Sequence, residues 1–300
     1  MIEKMRKKTG VVILNFNDSK TVLKLYKLIV DFQAIDKIVI VDNCSKDQSY
    51  NILKKKCIRK CSVIRTPYNG GYAYGNNYGI HYLLKYYPEI FYFVICNPDV
   101  IFKESLIEQI KIQFEKNEDI GLLSGVMHTV QDVDVKMPYG EFPSFYEDLF
   151  SCFYLYRYYL MYQRKKKIDY TKSLQLVEVV WGSLFAITKK AFLEINSFDE
   201  NTFLYYEENI LGKRLQKKGL KSAIITGENY IHNHGTTIAK TTNIIYRNCI
   251  GLDSKYYYQT HYNHIGKCKR LLLKIAIFYS KCELHIGCFI KDKLLCFRKG

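Results

Sequence analysis

The chain has 300 residues, of which 48% are hydrophobic and 25% are charged, as expected of an ordinary globular protein with ample core material. It contains no run of roughly 18 apolar residues, which argues against a membrane-spanning helix. The formal net charge is +16, which favours an anionic partner: nucleic acid, an anionic membrane surface or a phosphorylated substrate.

The N-terminus and the cysteines indicate the cellular compartment. The first residues, MIEKMRKKTG, are basic but lack the apolar stretch of a secretory signal. The 10 cysteines form no C-x-x-C pair, which is typical of small apolar residues in a reducing compartment rather than of a disulfide framework or a zinc site. The sequence therefore predicts a cytoplasmic protein.

The first hundred residues alternate between strand-like and helix-like segments. Their strands are mainly apolar, and a repeated β-α-β order with such strands predicts a Rossmann-like, mainly parallel sheet with helices on both faces. Ser45 and Gln48 have the spacing of a capping box at the start of the second helix. The predicted strands are 11–15, 37–42, 61–65 and 91–96, and the predicted helices are 19–33, 46–57 and 72–87.

The periodicity is looser after residue 100. Residues 131–180 are predicted to be irregular, apart from an aromatic-rich piece at 149–167. The last fifty residues are predicted to be helical, and from Lys267 to Gly300 they contain nine Lys or Arg and two Asp or Glu. The other predicted elements are helices near 103–115 and 207–218, and strands near 120–127 and 223–226.

Polar side chains follow three of the predicted strands. The carboxyl ends of parallel strands meet at one edge of a sheet, where α/β proteins bind ligands. Each polar residue alone is more often a turn former or a helix cap, but three such strand ends at one edge favour a ligand site. Pro98 also stiffens the backbone that presents Asp99. The polar residues are Asn15, Asp42, Asn43, Asn97 and Asp99.

The stretch NGGYAYGNNYG, residues 69–79, matches neither a P-loop nor G-x-G-x-x-G. Its glycines recur every four residues, so on a helix they share one face, which indicates close approach of another backbone or of a ligand. Tight helix–sheet packing and a ligand site both stay open, and Asn76 and Asn77 favour the ligand slightly. The glycines are Gly71, Gly75 and Gly79.

Glu207 and Glu208 are the best acid–base candidates. If a helix begins near Glu207, Glu208 shares a face with Leu211 and Leu215, and an apolar environment would raise the pKa of its carboxyl toward that of a general base. The alternative is that both acids complement the dipole in the first turn of the helix, and taken alone this alternative is favoured.

His232 and His234 are separated by one residue, so on a strand both would face the same side. A lone H-x-H is weak evidence for a metal or phosphate site. With the carboxylate of Asp99 at the sheet edge, the pair becomes a candidate for the last metal ligand.

Taken together, these residues resemble family 2 glycosyltransferases of the GT-A fold, most closely the rhamnosyltransferase-like branch that builds bacterial surface polysaccharides. The resemblance extends from about Val11 to Thr237 and rests on motifs that are weak singly but specific in this order. They are ILNFN (13–17), VDNCSKDQS (41–49), NGGYAYGNNYGI (69–80), CNPDV (96–100), WGSLFAI (181–187) and FDENTFLYYEE (198–208), followed by the H-x-H pair.

The resemblance implies an α/β GT-A catalytic domain over residues 1–240 and a basic helical extension over 241–300. Within the catalytic domain, about 1–100 would bind the nucleotide sugar and about 101–240 the acceptor. The implied ligand is a nucleotide-diphosphate sugar, and the implied cofactor is Mg²⁺ or Mn²⁺.

The family's site residues can be assigned to matching positions. Glu208 matches the base that deprotonates the acceptor, with Glu207 beside it, and Trp181, Gly182 and Ser183 match a stretch at the acceptor pocket. Asp99, with His232 or His234, matches the metal site. Residues at nucleotide-sugar positions are Asn15, Asp42, Asn43, Asn69, Gly70, Gly71, Asn76, Asn77, Asn97 and Asp99.

The chain departs from the family's pattern at three positions. Asn97 replaces the first acid of Asp-x-Asp, so fewer fixed charges face the metal. Glu208 stands where Asp is commoner, and Ile210 replaces a further acid. These departures leave open whether Glu208 or Glu207 is the base, and whether the chain is instead an inactive assembly partner.

The resemblance implies transfer with inversion to a growing, lipid-linked polysaccharide at the inner face of the cell membrane. Rhamnose from dTDP-rhamnose is the first expectation, and a UDP-hexose or a UDP-N-acetylhexosamine is the alternative donor. The basic C-terminal segment, with a second contact at 149–167, is predicted either to touch an anionic membrane surface or to be a solvated helical cap. The sequence leaves the oligomeric state open.

Other classes of function fit less well. A nucleotidyltransferase would need a glycine-rich, basic loop after the first strand, where this chain has NFNDSK. A nucleic-acid-binding protein would account for the net charge, but no nucleic-acid motif occurs, so we expect no nucleic-acid partner.

Overall fold

Alternating apolar strands and amphipathic helices organise the chain in a computed structural model that describes residues 7–129, 138–163, 167–233 and 244–297. In chain order the elements are β1 (Lys8–Asn15), α1 (Ser19–Ile29), β2 (Lys37–Asp42), α2 (Ser49–Lys56), β3 (Cys61–Arg65), α3 (Gly71–Tyr86), β4 (Ile90–Cys96), β5 (Val100–Phe102), α4 (Glu104–Lys116), β6 (Ile120–Thr129), α5 (Phe145–Phe150), α6 (Tyr154–Gln163), β7 (Leu174–Val177), β8 (Leu184–Thr188), α7 (Lys189–Glu194), α8 (Glu207–Lys217), β9 (Lys221–His232), α9 (Ile244–His261) and α10 (Lys267–Phe297).

The described strands form one sheet in the order β3-β2-β1-β4-β8-β6-β9-β5, and β7 also pairs with β9. Strands β3, β2, β1 and β4 are parallel, as the repeated β-α-β pattern predicts. Strand β8 is antiparallel to both β4 and β6, and β9 is parallel to β6 but antiparallel to β5 and β7. The sheet is therefore parallel in its N-terminal half and mixed beyond β4.

The core lies on both faces of this sheet because neighbouring residues of a strand point to opposite sides. In β1, Val11 and Ile13 pack into the cluster that includes α1 and α4, whereas Val12 packs into the cluster that includes α3, α7 and α8. A Cβ atom at Gly75 would lie 2.3 Å from Leu14, and one at Gly79 would lie 2.6 Å from Val12. Tight helix–sheet packing is thus the correct alternative for these two glycines.

The predicted capping box at the second helix is wrong. Helix α2 begins at Ser49, and Gln48 makes no capping hydrogen bond with its side chain. The Ser45 hydroxyl instead accepts hydrogen bonds from the Asn15 side chain and the Asn17 N–H. The serine is therefore occupied at the end of β1 and not at the start of the helix.

The C-terminal helices α9 and α10 share a third hydrophobic cluster with the residues that begin and follow α5. Its buried side chains include Phe145, Cys152, Leu252, Leu273 and Ile277. The helical prediction for the tail is confirmed, whereas residues 131–180 contain two helices that the sequence pattern did not predict. In the part of the chain that the structure describes, we find no helix whose length and hydropathy would suit a membrane span.

Candidate active site

The ends of β1 and β2 bring Asn15 and Asp42 side by side, since these residues are partners in the parallel register. The Asn15 Nδ2 group donates to Asp42 Oδ1 at 2.8 Å, and the Ser45 N–H donates to Asp42 Oδ2 at 3.1 Å. Arg65 lies 3.4 Å from the same carboxylate, whose side chain is 0% exposed. Asp42 is therefore fully enclosed by donors at the edge of the sheet.

Asn43, Asn69 and Gly71 form a hydrogen-bonded unit at the start of α3. The Asn43 Nδ2 group donates to Asn69 Oδ1 at 2.8 Å and to the Gly71 carbonyl at 3.0 Å, and the Gly71 N–H donates to Asn69 Oδ1 at 3.1 Å. Gly71 has a φ of +89°, and a Cβ atom there would lie 2.2 Å from the Phe203 carbonyl oxygen. Only glycine fits this position, directly after the helix-capping Gly70.

Asn76 and Asn77 are buried on α3 and bond within the protein. Asn76 donates to the Tyr72 carbonyl at 3.0 Å. Asn77 donates to the Phe198 carbonyl at 2.9 Å and to Glu200 at 2.7 Å, and it accepts from the Phe198 N–H at 2.9 Å. Asn77 thus fastens α3 to the segment that leads into Glu207 and Glu208.

At the end of β4 the chain presents Asn97 and Asp99. The Asn97 N–H donates to the Ser183 carbonyl at 2.8 Å. The pairing of β5 with β9 places His232 opposite Val100, and the Nε2 atom of His232 lies 3.3 Å from Asp99 Oδ1. A carboxylate and an imidazole therefore meet at this edge, whereas His234 lies outside the described residues.

The donor set at Asp99 and His232 fits a divalent cation that is shared with a ligand. Among the described residues, no group of three or more His, Cys, Asp or Glu side chains is arranged to hold a metal ion. Mg²⁺ in phosphate-binding sites is often held by one or two carboxylates, with phosphate oxygens and water completing the shell. Asp99 and His232 suit such a partial protein site.

Gly182 joins the helix that carries Glu208 to the helix that carries Tyr72. Its N–H donates to Glu208 Oε1 at 3.1 Å, and its carbonyl accepts from the Tyr72 hydroxyl at 2.5 Å. The next residue, Ser183, accepts the Asn97 N–H and points its hydroxyl at Tyr230 in the core, 2.8 Å away. Gly182 thus contacts Glu208, and its neighbour Ser183 contacts Asn97, two residues before Asp99. Glu208 and Asp99 therefore lie at the same end of the sheet.

The glutamate pair is buried beside a mostly apolar pocket. This pocket is lined mostly by apolar side chains such as Phe185, Phe198 and Leu211, and Asp199 and Arg214 also line it. Burial raises the pKa of the Glu208 carboxyl, although hydrogen bonds from its own N–H and from Gly182 act in the opposite direction. The direction of this pKa shift agrees with the one expected for a buried Glu208, and both acids also lie in the first turn of α8.

The two buried carboxyl groups differ in the hydrogen bonds that they accept. Burial raises the pKa of the Glu207 carboxyl well above its ordinary value, and the charge of Glu208 raises it further. Both carboxylates accept their own backbone N–H, but Glu208 also accepts the Gly182 N–H, whereas the Oε2 atom of Glu207 is buried without a hydrogen-bond partner among the described residues. When the pair shares one proton, we therefore place it on Glu207 and leave Glu208 ionised.

The glutamate helix is also held from the C-terminal helices, which sequence reasoning missed. Tyr205 and Tyr206, directly before α8, both have left-handed backbone angles, with φ of 71° and 66°. The Tyr206 hydroxyl donates to Asp148 Oδ1 at 2.5 Å, and Lys255 of α9 lies 3.9 Å from the same oxygen. Gln259 donates to the other carboxylate oxygen at 2.7 Å.

The remaining predicted site residue, Trp181, is half-buried. Its indole packs against the core cluster on one face of the sheet and lies near Gly140. Tyr72 was not predicted, although it belongs to the NGGY motif that drew attention to this loop. Its contact with Gly182 depends on a fold that no local pattern reveals.

A family model described as glycosyl transferase family 2 matches residues 10–194, more than half of the chain. A comparison with curated proteins found no match. Many solved structures are similar, and three of them illustrate the fold.

The mannosyltransferase PcManGT from Pyrobaculum calidifontis, in complex with GDP-Man and Mn2+, has a TM-score of 0.59 and 11% identity over 97% of this chain and 76% of its own. GalNAc-T7 with UDP, GalNAc and Mn2+ has a TM-score of 0.60 and 12% identity over 91% of this chain and 55% of its own. S. aureus TarS has a TM-score of 0.53 and 13% identity over 88% of this chain and 41% of its own. This chain thus spans only part of the longer two, and the shared property is the GT-A fold.

Proposed function

The chain belongs to glycosyl transferase family 2, and we propose that it moves a sugar from a nucleoside diphosphate to a saccharide hydroxyl with inversion. The observation that carries the proposal is a pair of hydrogen bonds at neighbouring residues. The Gly182 N–H donates to Glu208, and the Ser183 carbonyl accepts from the Asn97 N–H. A candidate base and a candidate metal ligand, Asp99, thereby share one end of the sheet.

The donor nucleotide is proposed to lie along the ends of β1 and β2 and the start of α3. Two similar structures carry GDP-Man or UDP together with Mn2+, which supports a nucleoside diphosphate donor for this chain as well. The proposed direct contacts are Asn69, Gly70, Gly71, Asn97 and Asp99, and the buried side chains of Asn15, Asp42, Asn43, Asn76 and Asn77 would shape the site behind them.

Asp99 and His232 would hold Mg²⁺ or Mn²⁺ together with the oxygens of the donor diphosphate. When bound, the cation supplies positive charge next to the departing diphosphate. Asn97 adds no negative charge there, so the protein leaves most of the cation's charge for the donor.

The transfer step needs a base because a sugar hydroxyl is too weakly acidic to attack unaided. In our proposal Glu208 accepts the proton while the hydroxyl oxygen forms a bond to the anomeric carbon from the face opposite the diphosphate. The bond from that carbon to the phosphate oxygen breaks, and its electron pair leaves with the nucleoside diphosphate. Glu207, protonated beside it, limits the negative charge in the apolar pocket.

For the sugar and the acceptor, the sequence motifs are the support. Their resemblance to the rhamnosyltransferase-like branch makes dTDP-rhamnose our first choice of donor, with a UDP-hexose or a UDP-N-acetylhexosamine as the alternative. We propose a lipid-linked saccharide of a growing polysaccharide as the acceptor, reached from the cytoplasm, with Trp181, Gly182 and Ser183 at its pocket.

A donor panel tests this function. The protein is incubated with dTDP-rhamnose, UDP-hexoses, UDP-N-acetylhexosamines and GDP-mannose in the presence of Mn²⁺ or Mg²⁺, and release of the nucleoside diphosphate is measured. We expect one donor class to be turned over, with inversion at the anomeric carbon of the product by NMR. If a mixed bacterial glycolipid extract as acceptor supports no release from any donor, the proposal fails.

A further inference from the structure

Helix α10 has an apolar face that no described part of the protein covers. Its inner face is buried against the helical cluster through Leu273, Ala276, Ile277 and Ser280. At 3.6 residues per turn, the opposite face consists of a second apolar set between Cys268 and Ile286. Its large exposed side chains are Leu271, Leu272, Ile275, Phe278, Tyr279 and Ile286.

The exposure of this outer face is unusual for a helix at a protein surface. Phe278 is 71% exposed, Leu271 61% and Ile275 58%. A solvated helix normally places polar or charged residues opposite its buried face. Here no charged residue of the same stretch lies in the middle of the outer face, and Lys269 instead lies over the rings of Phe145 and Tyr146. The helix is thus apolar on two sides.

One border of this face is basic. Lys267, Arg270, Lys274 and Lys281 lie along it at helical spacing. Lys281 pairs with Asp253 at 2.6 Å, whereas the other three have no acidic partner in the part of the chain that the structure describes. This border therefore carries uncompensated positive charge directly beside the exposed apolar side chains.

The other border continues onto α6. The ring of Phe153 lies 5.3 Å from that of Tyr279, and Arg157 pairs with Glu283 at 2.8 Å. Leu155, two residues after Phe153, is 80% exposed. The apolar surface of α10 thus extends at least to Phe153. The acid on this border, Glu283, is neutralised by Arg157.

We propose that this face of α10, together with Phe153, lies on an anionic lipid bilayer. An apolar stripe beside a basic row is the arrangement of helices that lie in the plane of a membrane interface, with the apolar side chains below the headgroups. The lysines would contact lipid phosphates. A second copy of the chain would bring two net charges of +16 together, whereas an anionic surface attracts them.

Flotation with lipid vesicles tests the inference on the full-length protein. We expect it to float with vesicles that contain phosphatidylglycerol but not with phosphatidylcholine alone, and high salt should weaken the binding. Ile275→Glu combined with Phe278→Glu should abolish flotation. Lys267→Gln and Lys274→Gln should each weaken it about fivefold. Ile58→Glu is the matched control, because Ile58 is 74% exposed but lies between α2 and β3 and not on α10. This variant should float like the wild type.

Three results would overturn the inference. The first is a wild-type protein that does not float with the anionic vesicles. The second is equal flotation by the Ile275→Glu, Phe278→Glu protein with an unchanged circular dichroism spectrum. The third is a concentration-dependent dimer that this double substitution dissociates, which would assign the face to a second copy. Release of nucleoside diphosphate in the same preparations reports the proposed function separately, because none of these residues lies at the glutamate pair.

Discussion

The backbone nitrogen of Gly182 lies 3.1 Å from Glu208 Oε1, and a Cβ atom at position 182 would lie only 2.6 Å from the same oxygen. The absence of a side chain at this glycine is therefore what lets the carboxylate reach the amide. The Gly182 carbonyl also accepts a hydrogen bond from the Tyr72 hydroxyl, so Gly182 fixes the position of Glu208 relative to α3.

In Gly182→Ala the new Cβ atom should push the Glu208 carboxylate away from the Gly182 N–H by about 1 Å, while the protein stays folded. Because a misplacement of about 1 Å can cost about a hundredfold in rate, we expect kcat to fall by about that factor. Gly227→Ala is the control, since a Cβ atom there meets nothing within 4 Å. Equal kcat values for the two variants would remove Gly182 from the positioning of the base.

Glu208→Gln should reduce kcat by about a hundredfold to ten-thousandfold, because the base is lost while the shape is kept. Glu207→Gln should have a much smaller effect, because an amide resembles the protonated carboxyl that we place at this position. Single-turnover rates at saturating donor and acceptor compare the two variants. The opposite ranking would make Glu207 the base.

The rate should depend on pH through Glu208. Burial raises the pKa of its carboxyl above the ordinary 4.5, and a base acts only when ionised. Lowering the pH through that raised pKa therefore protonates the base and reduces kcat, at a higher pH than an exposed glutamate would. A profile of kcat against pH should show this fall in the wild type and not in the residual activity of Glu208→Gln. A wild-type rate that stays constant to pH values below 4.5 would contradict the assignment.

Lys255 and Asp148 form a buried ion pair, with side chains that are 9% and 5% exposed, which holds Tyr206 before the glutamate helix. Lys255→Met should leave the Asp148 carboxylate buried without its cation and lower the free energy of unfolding by about 3–5 kcal/mol. Lys281→Met removes a pair whose acid, Asp253, is 66% exposed, and should cost about 1 kcal/mol or less. Urea denaturation measures both, and similar losses would mean that burial does not set the strength of the Asp148 pair.

Local patterns predicted the N-terminal half of the fold well. Apolar runs such as Val11–Asn15 and the helical spacing that follows them are properties of neighbouring residues, so the parallel β-α-β units could be read directly. Strand β7 (Leu174–Val177) is short and partly exposed, and α6 (Tyr154–Gln163) is rich in tyrosine without a clear apolar period. Neither has the pattern on which such predictions depend.

The candidate site was predictable in its residue types but not in its contacts. The spacing of Glu208 and Leu211 already indicated an apolar environment for the carboxyl. The bond from Gly182 to Glu208 joins residues 26 apart in sequence, and that from Lys255 to Asp148 joins residues 107 apart. Such contacts are set by the packing of the whole chain. For the same reason, no local sequence pattern predicts the contacts of Tyr72, Tyr206 and Asp148.

We propose that Asp99 helps to hold a divalent cation against the diphosphate of a sugar donor. The most direct test is the melting temperature of the wild type and of Asp99→Asn with dTDP-, UDP- and GDP-sugars, with and without Mn²⁺. We predict that one donor raises the melting temperature of the wild type only when Mn²⁺ or Mg²⁺ is present, and that Asp99→Asn shows no such rise. Equal stabilisation of both proteins by the donor, or stabilisation that needs no metal, would show that Asp99 does not hold a cation against the donor.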